Sequence, residues 1–155
     1  DWAIRDEDGY YFILGRTDDV INVAGHRLGT REIEEAISRH AAVAEVAVVG
    51  VTDALKGQVA RAFVVSNNPA VLQDEALRQR LEAEIMQTVD QQLGAVARPA
   101  RVLFVGALPK TRSGKLLRRV VQAICEGREP GDLSTLEDAQ TIQHLKVAVS
   151  AIPCC

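Results

Sequence analysis

Aromatic side chains are scarce in this chain of 155 residues: one Trp, two Tyr and three Phe. None lies between Pro109 and Cys125, the most basic stretch, so that segment offers no ring on which a nucleobase could stack. Net charge is also small, −3 at pH 7, which removes bulk charge as an argument for a nucleic-acid partner. No apolar run approaches the roughly 18 residues of a membrane span. The opening Asp1-Trp2-Ala3-Ile4-Arg5-Asp6-Glu7-Asp8 lacks both the basic start and the apolar core of a signal peptide, and it begins without methionine, as a piece cut from a longer polypeptide would. Cysteines number only three, which suits a reducing compartment. Cys154 and Cys155 are adjacent at the terminus, too close for an easy disulfide, and Cys125 continues an apolar helix face as a core residue rather than a nucleophile. The expectation is a cytoplasmic protein with neither membrane nor nucleic acid as partner.

What is present reads as a globular fold: 47% hydrophobic residues with 25% charged, at a length suited to one domain of ordinary size. Gly9 to Gly15 reads as a short β segment of a hairpin after an acidic turn, followed by the polar joint Arg16-Thr17-Asp18-Asp19. Val20-Ile21-Asn22-Val23 reads as a second short strand, and Ala24-Gly25-His26-Arg27-Leu28-Gly29 as a glycine-bounded loop holding a basic pair. Thr30 is placed to cap a helix whose first turns carry Glu32, Glu34 and Glu35, with Ile33, Ala36, Ile37 and His40 on one face. Val43 to Val51 is nearly all apolar and valine-rich, as a strand buried on both faces should be, and Val59 to Val65 is its antiparallel neighbour across the Asp53-to-Gly57 turn. Leu77, Leu81, Ile85 and Val89 at four-residue steps predict a helix over Asp74 to Gln92, stopped at Gly94. Arg101 to Val105 supplies a third central strand. Gln140 to Val149 reads as a last, loosely held helix. The fold class is therefore α+β: a small three-stranded central β-sheet packed by helices, with an N-terminal β-hairpin.

Seven bases lie between Gln91 and Cys125 (Arg98, Arg101, Lys110, Arg112, Lys115, Arg118 and Arg119) with no carboxylate among them, so a phosphate or carboxylate nearby is expected to meet a uniformly positive field. Within it, Pro109-Lys110-Thr111-Arg112-Ser113-Gly114-Lys115 puts a lysine at a glycine turn, with Ser113 placed to cap the helix that follows. Lys115 near a helix start would face the positive end of the helix dipole, so its placement serves chemistry rather than helix stability. The stretch is not a phosphate-cradling P-loop: Gly106 and Gly114 are too far apart, and Leu116 stands where Ser or Thr would bind magnesium.

Three separate motifs, in order and at family spacing, carry a resemblance. Gly15-Arg16-Thr17-Asp18-Asp19, then Asn22-Val23-Ala24-Gly25-His26-Arg27-Leu28-Gly29 with Glu32-Ile33-Glu34, then Pro109 to Lys115, resemble the C-terminal domain of the adenylate-forming acyl-CoA synthetases. The likeness runs on through the tail Gly131 to Leu136. It favours the short-chain branch, and the propionyl enzymes over the acetyl ones on Ala24, on Gly29 to Glu35 and on Ala123 to Arg128. Ser-Gly-Lys at the lysine, where peptide-synthetase adenylation domains carry Asn-Gly-Lys, points away from that branch.

The resemblance implies that residues 1–17 are the end of an N-terminal adenylation domain and a β-hairpin, 18–19 a hinge, 20–128 a mobile C-terminal domain and 129–155 a tail. It implies a ligase that joins a short-chain carboxylate, propionate first and acetate as the alternative, to CoA at the expense of Mg-ATP, with AMP and pyrophosphate released. Lys115 would be the adenylation lysine and Asp18 the hinge. Asp1 and Arg16 would bind the ribose hydroxyls, Arg27 a phosphate, and Ala24, Gly25 and His26 the CoA thiol arm. His40 matches a histidine that helps hold a structural cation together with nearby carbonyls. Asp90 stands where acetyl relatives carry an arginine for the CoA phosphate, leaving Arg98 or Arg101 to serve instead. The implied partners are the chain's own adenylation domain and a lysine acyltransferase and deacylase acting on Lys115, and this portion alone is expected to be inactive. An anion-binding regulatory module and a ligase with a different acceptor are the other readings.

Overall fold

A computed structural model describes residues 2–15 and 20–150. Strands β1 (Trp2–Arg5) and β2 (Tyr11–Gly15) form an antiparallel hairpin whose turn is organised by Asp6, its Oδ1 accepting the Asp8 and Tyr10 amides at 3.0 and 2.8 Å. The second sheet is built on β5 (Val43–Asp53) and β6 (Gly57–Ser66), a long antiparallel pair. At their turn Asp53 Oδ1 accepts the Leu55 and Lys56 amides. Those two bonds, the Lys56 one first, hold the Asp53 carboxyl below the usual carboxylate range.

β5 is an edge of this sheet; on its other flank β6 takes β7 (Arg101–Phe104) in parallel and, through the single pair Val23↔Gly57, β3 (Val20–Val23). β4 (His26–Gly29) pairs antiparallel with β3. The sheet therefore has five strands rather than the expected three. The difference is local: the segment after Val23 makes a turn of only two residues and returns as a strand, although His26-Arg27-Leu28-Gly29 carries no apolar alternation to announce one.

Helices cover both faces. α1 (Thr30–Ser38) and α2 (Glu75–Leu93) pack on one, with Ile33, Ile37, Ile85 and Val89 fully buried against Val48, Ala62 and Val64. α3 (Arg118–Cys125) and α4 (Gln140–Ser150) pack on the other, where Val120, Val121 and Leu145 meet Ala47, Val49 and Phe63. β5 thus buries Val48 on one face and Ala47 and Val49 on the other, the pattern its apolar run predicts. α2 runs as predicted, from an Asp74 cap that accepts the Leu77 amide at 3.1 Å to a C-terminal Gly94 at φ 88°. Two expectations fail. Thr30 does not cap α1: it is the helix's first residue, buried, and its hydroxyl has no hydrogen-bond partner, while Gly29 occupies the cap. The last helix is not loosely held, since Leu145 is completely buried and Ile142 nearly so.

The free edge of β5 is closed by side chains. Val48 donates its amide to Glu34 Oε1 at 2.9 Å, and Gly50 offers its carbonyl to Gln122 Nε2 at 3.0 Å. An edge strand would otherwise present these groups as a template for pairing with another chain. Closing it with residues of α1 and α3 ties both helices to one line along β5.

Candidate functional site

Lys115 stands on a tight turn, not at the start of a helix. Pro109 is fully buried and its carbonyl accepts the Leu117 amide at 2.9 Å. Lys110 and Leu116 form an antiparallel bridge, and inside it Thr111 donates its amide to the Lys115 carbonyl at 2.8 Å. Gly114 closes the turn at φ 86°, and a Cβ there would meet nothing within 4 Å, so the glycine answers to backbone conformation and not to crowding. The Thr111 hydroxyl accepts the Lys115 amide at 3.0 Å and lies 2.9 Å from Ser113 Oγ. Ser113 therefore serves the turn and does not cap α3, which starts at Arg118 with Leu117 at a cap that has no side-chain bond. A strap from the tail lies alongside: Arg112 donates its amide to Thr135 O at 3.2 Å, and Glu137 donates to Lys110 O at 2.9 Å.

The field around this turn is not uniformly positive, because carboxylates distant in the chain come to it. Lys110 forms an ion pair with Glu45 of β5. Arg118 forms a two-point pair with Glu34 of α1, its Nε lying 2.9 Å from Oε1 and its second nitrogen on Oε2. Arg119 donates to the Pro130 and Asp132 carbonyls. Arg101 lies 3.7 Å from Glu82. Lys115 is exposed, and among the described residues its ammonium has no ion-pair or hydrogen-bond partner. The fold neutralises Lys110 and Arg118 at the two ends of this segment and leaves the two exposed cations between them, Arg112 and Lys115, without a side-chain partner among the described residues; of these Lys115 is the compact ammonium, next to the Gly114 turn.

The second cluster is the β3–β4 turn. Val23 pairs with His26, so Ala24 and Gly25 alone make the reversal, at φ 50° and 84°. Positive φ at both positions defines a type I′ turn, the geometry that matches strand twist. A Cβ on Gly25 would meet nothing within 4 Å, yet an L-residue is strained at that φ, and Ala24 already carries such strain. Ala24, Gly25, His26 and Arg27 are all exposed. Ala24 donates its amide to Lys56 O at 2.9 Å, which fastens the tip to the β5–β6 turn. The two clusters thus sit at opposite ends of β5: Lys110 is paired to Glu45 near its start, and Ala24 is bonded to the turn beyond Asp53. Eight strand steps separate those ends, about 26 Å at the usual rise.

His40 is held by both ring nitrogens: Nδ1 accepts the Ala42 amide at 3.1 Å and Nε2 lies 3.0 Å from Glu84 Oε2. Nδ1 acting as acceptor directs the Nε2 side of the ring to Glu84, so both ring nitrogens are engaged within the fold. Among the described residues no group of three His, Cys, Asp or Glu could hold a metal. The cation that the resemblance implies would rest on carbonyls beside His40 rather than on a side-chain cluster, and the His40 ring itself is already engaged by Ala42 and Glu84. Asp90 lies in the last turns of α2, and Arg98 is exposed just beyond it. Cys125 packs into the second core cluster, and burial pushes its thiol up to about 11. Asp1, Arg16 and Asp18 lie outside the described residues. Glu34 and Glu45 were not legible as site residues: each reads locally as helix or strand decoration, and their partners are 84 and 65 positions away.

Residues 32–115 match the model of the AMP-binding enzyme C-terminal domain. The chain is 64% identical to a propionate–CoA ligase of Escherichia coli across 96% of its own length and 24% of that protein's. It is 50% identical to an acetyl-coenzyme A synthetase of Pyrobaculum aerophilum across 98% of its own length and 22% of that protein's. Among solved structures, the acyl-CoA synthetase of Brucella canis superposes on 77% of the chain with a TM-score of 0.60 at 38% identity, over 21% of that protein. The chain therefore spans less than a quarter of the length of each of these relatives.

Proposed function

The chain belongs to the family of AMP-binding enzyme C-terminal domains, and from that premise we propose that it is the mobile domain of an ATP-dependent short-chain acyl-CoA synthetase. The observation that carries this reading is the exposed Lys115 ammonium, without a partner among the described residues, between ion-paired Lys110 and Arg118. In the first step a carboxylate oxygen attacks the α-phosphorus of Mg-ATP and pyrophosphate leaves. Lys115 reaches into the cleft of the adenylation domain and offsets the charge that gathers on the transferring phosphoryl group. A compact ammonium suits this narrow task better than a planar guanidinium. In the second step the CoA sulfur attacks the carbonyl of the acyl-adenylate, the bond from that carbon to the AMP phosphate oxygen breaks, AMP and the thiol proton leave and the acyl group stays on sulfur. The Ala24-Gly25-His26 tip lines the path of the thiol arm. Arg27 meets phosphate, and Asp1 and Arg16 meet the ribose. Propionate is the preferred acid because identity is higher to a propionate–CoA ligase than to the acetyl enzyme. No helix among the described residues is long and apolar enough to cross a membrane, which suits a cytoplasmic enzyme drawing on ATP and CoA.

The test is a chimera in which this chain replaces the matching portion of a propionate–CoA ligase. Lys115→Ala in it is expected to lower propionate-dependent pyrophosphate exchange by about 10²-fold or more, the scale of losing one transition-state charge partner. Thioester formation from supplied propionyl-adenylate stays within about threefold, since a group used only in the first step does not enter the second. Equal loss in both half-reactions would remove Lys115 from the role. Because no described residue bonds this exposed side chain, thermal stability is expected to move by less than about 0.5 kcal/mol.

The same exposure makes Lys115 open to control. An acyl group placed on its amine removes the charge, and a deacylase restores it. Intact-mass mapping of active and inactivated enzyme is expected to find the added acyl group on Lys115 in the inactive pool; an unmodified Lys115 in that pool excludes this regulation.

A further inference from the structure

The ion pairs on the two flanks of the Lys115 turn have a geometry that stability alone does not require. The turn is the seven residues between Lys110 and Arg118, and each of those two end residues is tied to a glutamate from a different element. Lys110 is paired with Glu45 near the start of β5, and Arg118 is paired at two points with Glu34 of α1. Both pairs are partly shielded: the side chains are 30% and 38% exposed in the first and 28% and 12% in the second. Glu34 is fixed further, because its Oε1 also takes the Val48 amide from the free edge of β5. Both glutamates are therefore referenced to the same strand, within four residues of each other along it. Local bonds set the shape of the turn through Thr111 and Gly114, and buried Pro109 and the tail strap hold its base, while the two glutamates tie both of its ends to β5.

Resting on the reading of Lys115 as the adenylation lysine, we propose that Glu34 and Glu45 are positioning residues for its ammonium. They do not touch substrate. They anchor the two ends of the loop to β5, so that when the domain swings over the cleft the Lys115 Nζ arrives at one place rather than sweeping a range. An error of about 1 Å in such an arrival costs on the order of 10²-fold in rate. The two pairs also have a consequence that a general stabilising role lacks. The Ala24-Gly25 tip is at the far end of β5 and is fastened by Lys56, so loosening the Lys115 end leaves the thioester end in place.

The experiment uses the active chimera with Glu45→Ala and Glu34→Gln. Glutamine at 34 retains an oxygen for the Val48 amide while losing the charged two-point pair with Arg118, so the edge of β5 stays closed. Each variant is expected to lower kcat for propionate-dependent pyrophosphate exchange by about 10- to 100-fold with KM for propionate and ATP within about twofold, the signature of misplacement and not of lost binding. Thioester formation from supplied propionyl-adenylate is expected to be unchanged. The exchanged pair Glu45→Lys with Lys110→Glu is expected to recover most of the exchange activity lost in Glu45→Ala. Equal losses in both half-reactions, or a fall that tracks the thermal midpoint, would reduce the glutamates to ordinary stabilisers and overturn the proposal, as would full exchange activity in both variants. A chimera in which unaltered chain supports neither half-reaction overturns instead the reading on which the proposal rests.

Discussion

Lys115 and Cys125 are ten positions apart and show how differently the fold treats two reactive side chains. The lysine is left exposed on a turn; the thiol is folded against Val121-side core and loses its acidity to burial. With a pKa of about 11, Cys125 holds about one part in a thousand as thiolate at pH 8, and it is the thiolate that attacks. Alkylation at pH 8 followed by peptide mapping is therefore expected to leave Cys125 unlabelled in the native chain and to label it fully in denaturant. Fast native labelling would mean the second core cluster opens readily. The reading of Cys125 as a core residue came from its place on an apolar face, which is a local property. The partners of Lys110 and Arg118 are not local, and no periodicity around Glu34 or Glu45 announces them.

At the scale of elements, the sharpest constraint is the seat of β3 on β5. Gly50 leaves room that the Ile21 side chain fills: a Cβ at Gly50 would stand 2.2 Å from Ile21 Cγ2 and 3.2 Å from its Cβ. Because β3 joins the main sheet through one residue pair, Val23↔Gly57, this contact does much to hold the β3–β4 hairpin that carries Gly25. Gly50→Ala is expected to destabilise the chain by about 1–3 kcal/mol, the usual cost of overpacking a filled core. Chemical denaturation measures it, and a change below about 0.5 kcal/mol would show that Ile21 moves aside freely. Such packing also explains which elements could be read in advance. α2 was legible because Leu77, Leu81, Ile85 and Val89 repeat within one helix and Asp74 and Gly94 mark its ends. β4 was not, because its existence depends on pairing with β3 across a two-residue turn and on no pattern of its own. Ser113 and Thr30 were misread for a related reason: a hydroxyl near a helix start is a cap only if the first turn begins where its oxygen can reach, and here α3 starts later and α1 earlier.

For the whole molecule, the decisive fact is that the two motif loops occupy opposite ends of one β hairpin, with Lys110 tied to Glu45 at one end and Ala24 bonded to Lys56 at the other. A rigid sheet cannot shorten the distance of about 26 Å that eight strand residues impose. If both loops serve one cleft, they serve it in turn, and the body must reorient about the segment that joins it to the adenylation domain. The resemblance assigns that joint to Asp18. Replacing it with proline fixes φ near −65° and removes a backbone donor, so one of the two orientations becomes hard to reach. In the chimera, Asp18→Pro is expected to leave propionate-dependent pyrophosphate exchange within about threefold and to slow thioester formation by tenfold or more, as expected when a conformational step becomes limiting. Lys115→Ala affects the half-reactions in the opposite order, so the two variants assayed side by side separate a missing charge from a blocked rotation. If Asp18→Pro slows both half-reactions alike, the joint lies elsewhere; if it slows neither, the two ends of the hairpin do not take turns at a common cleft.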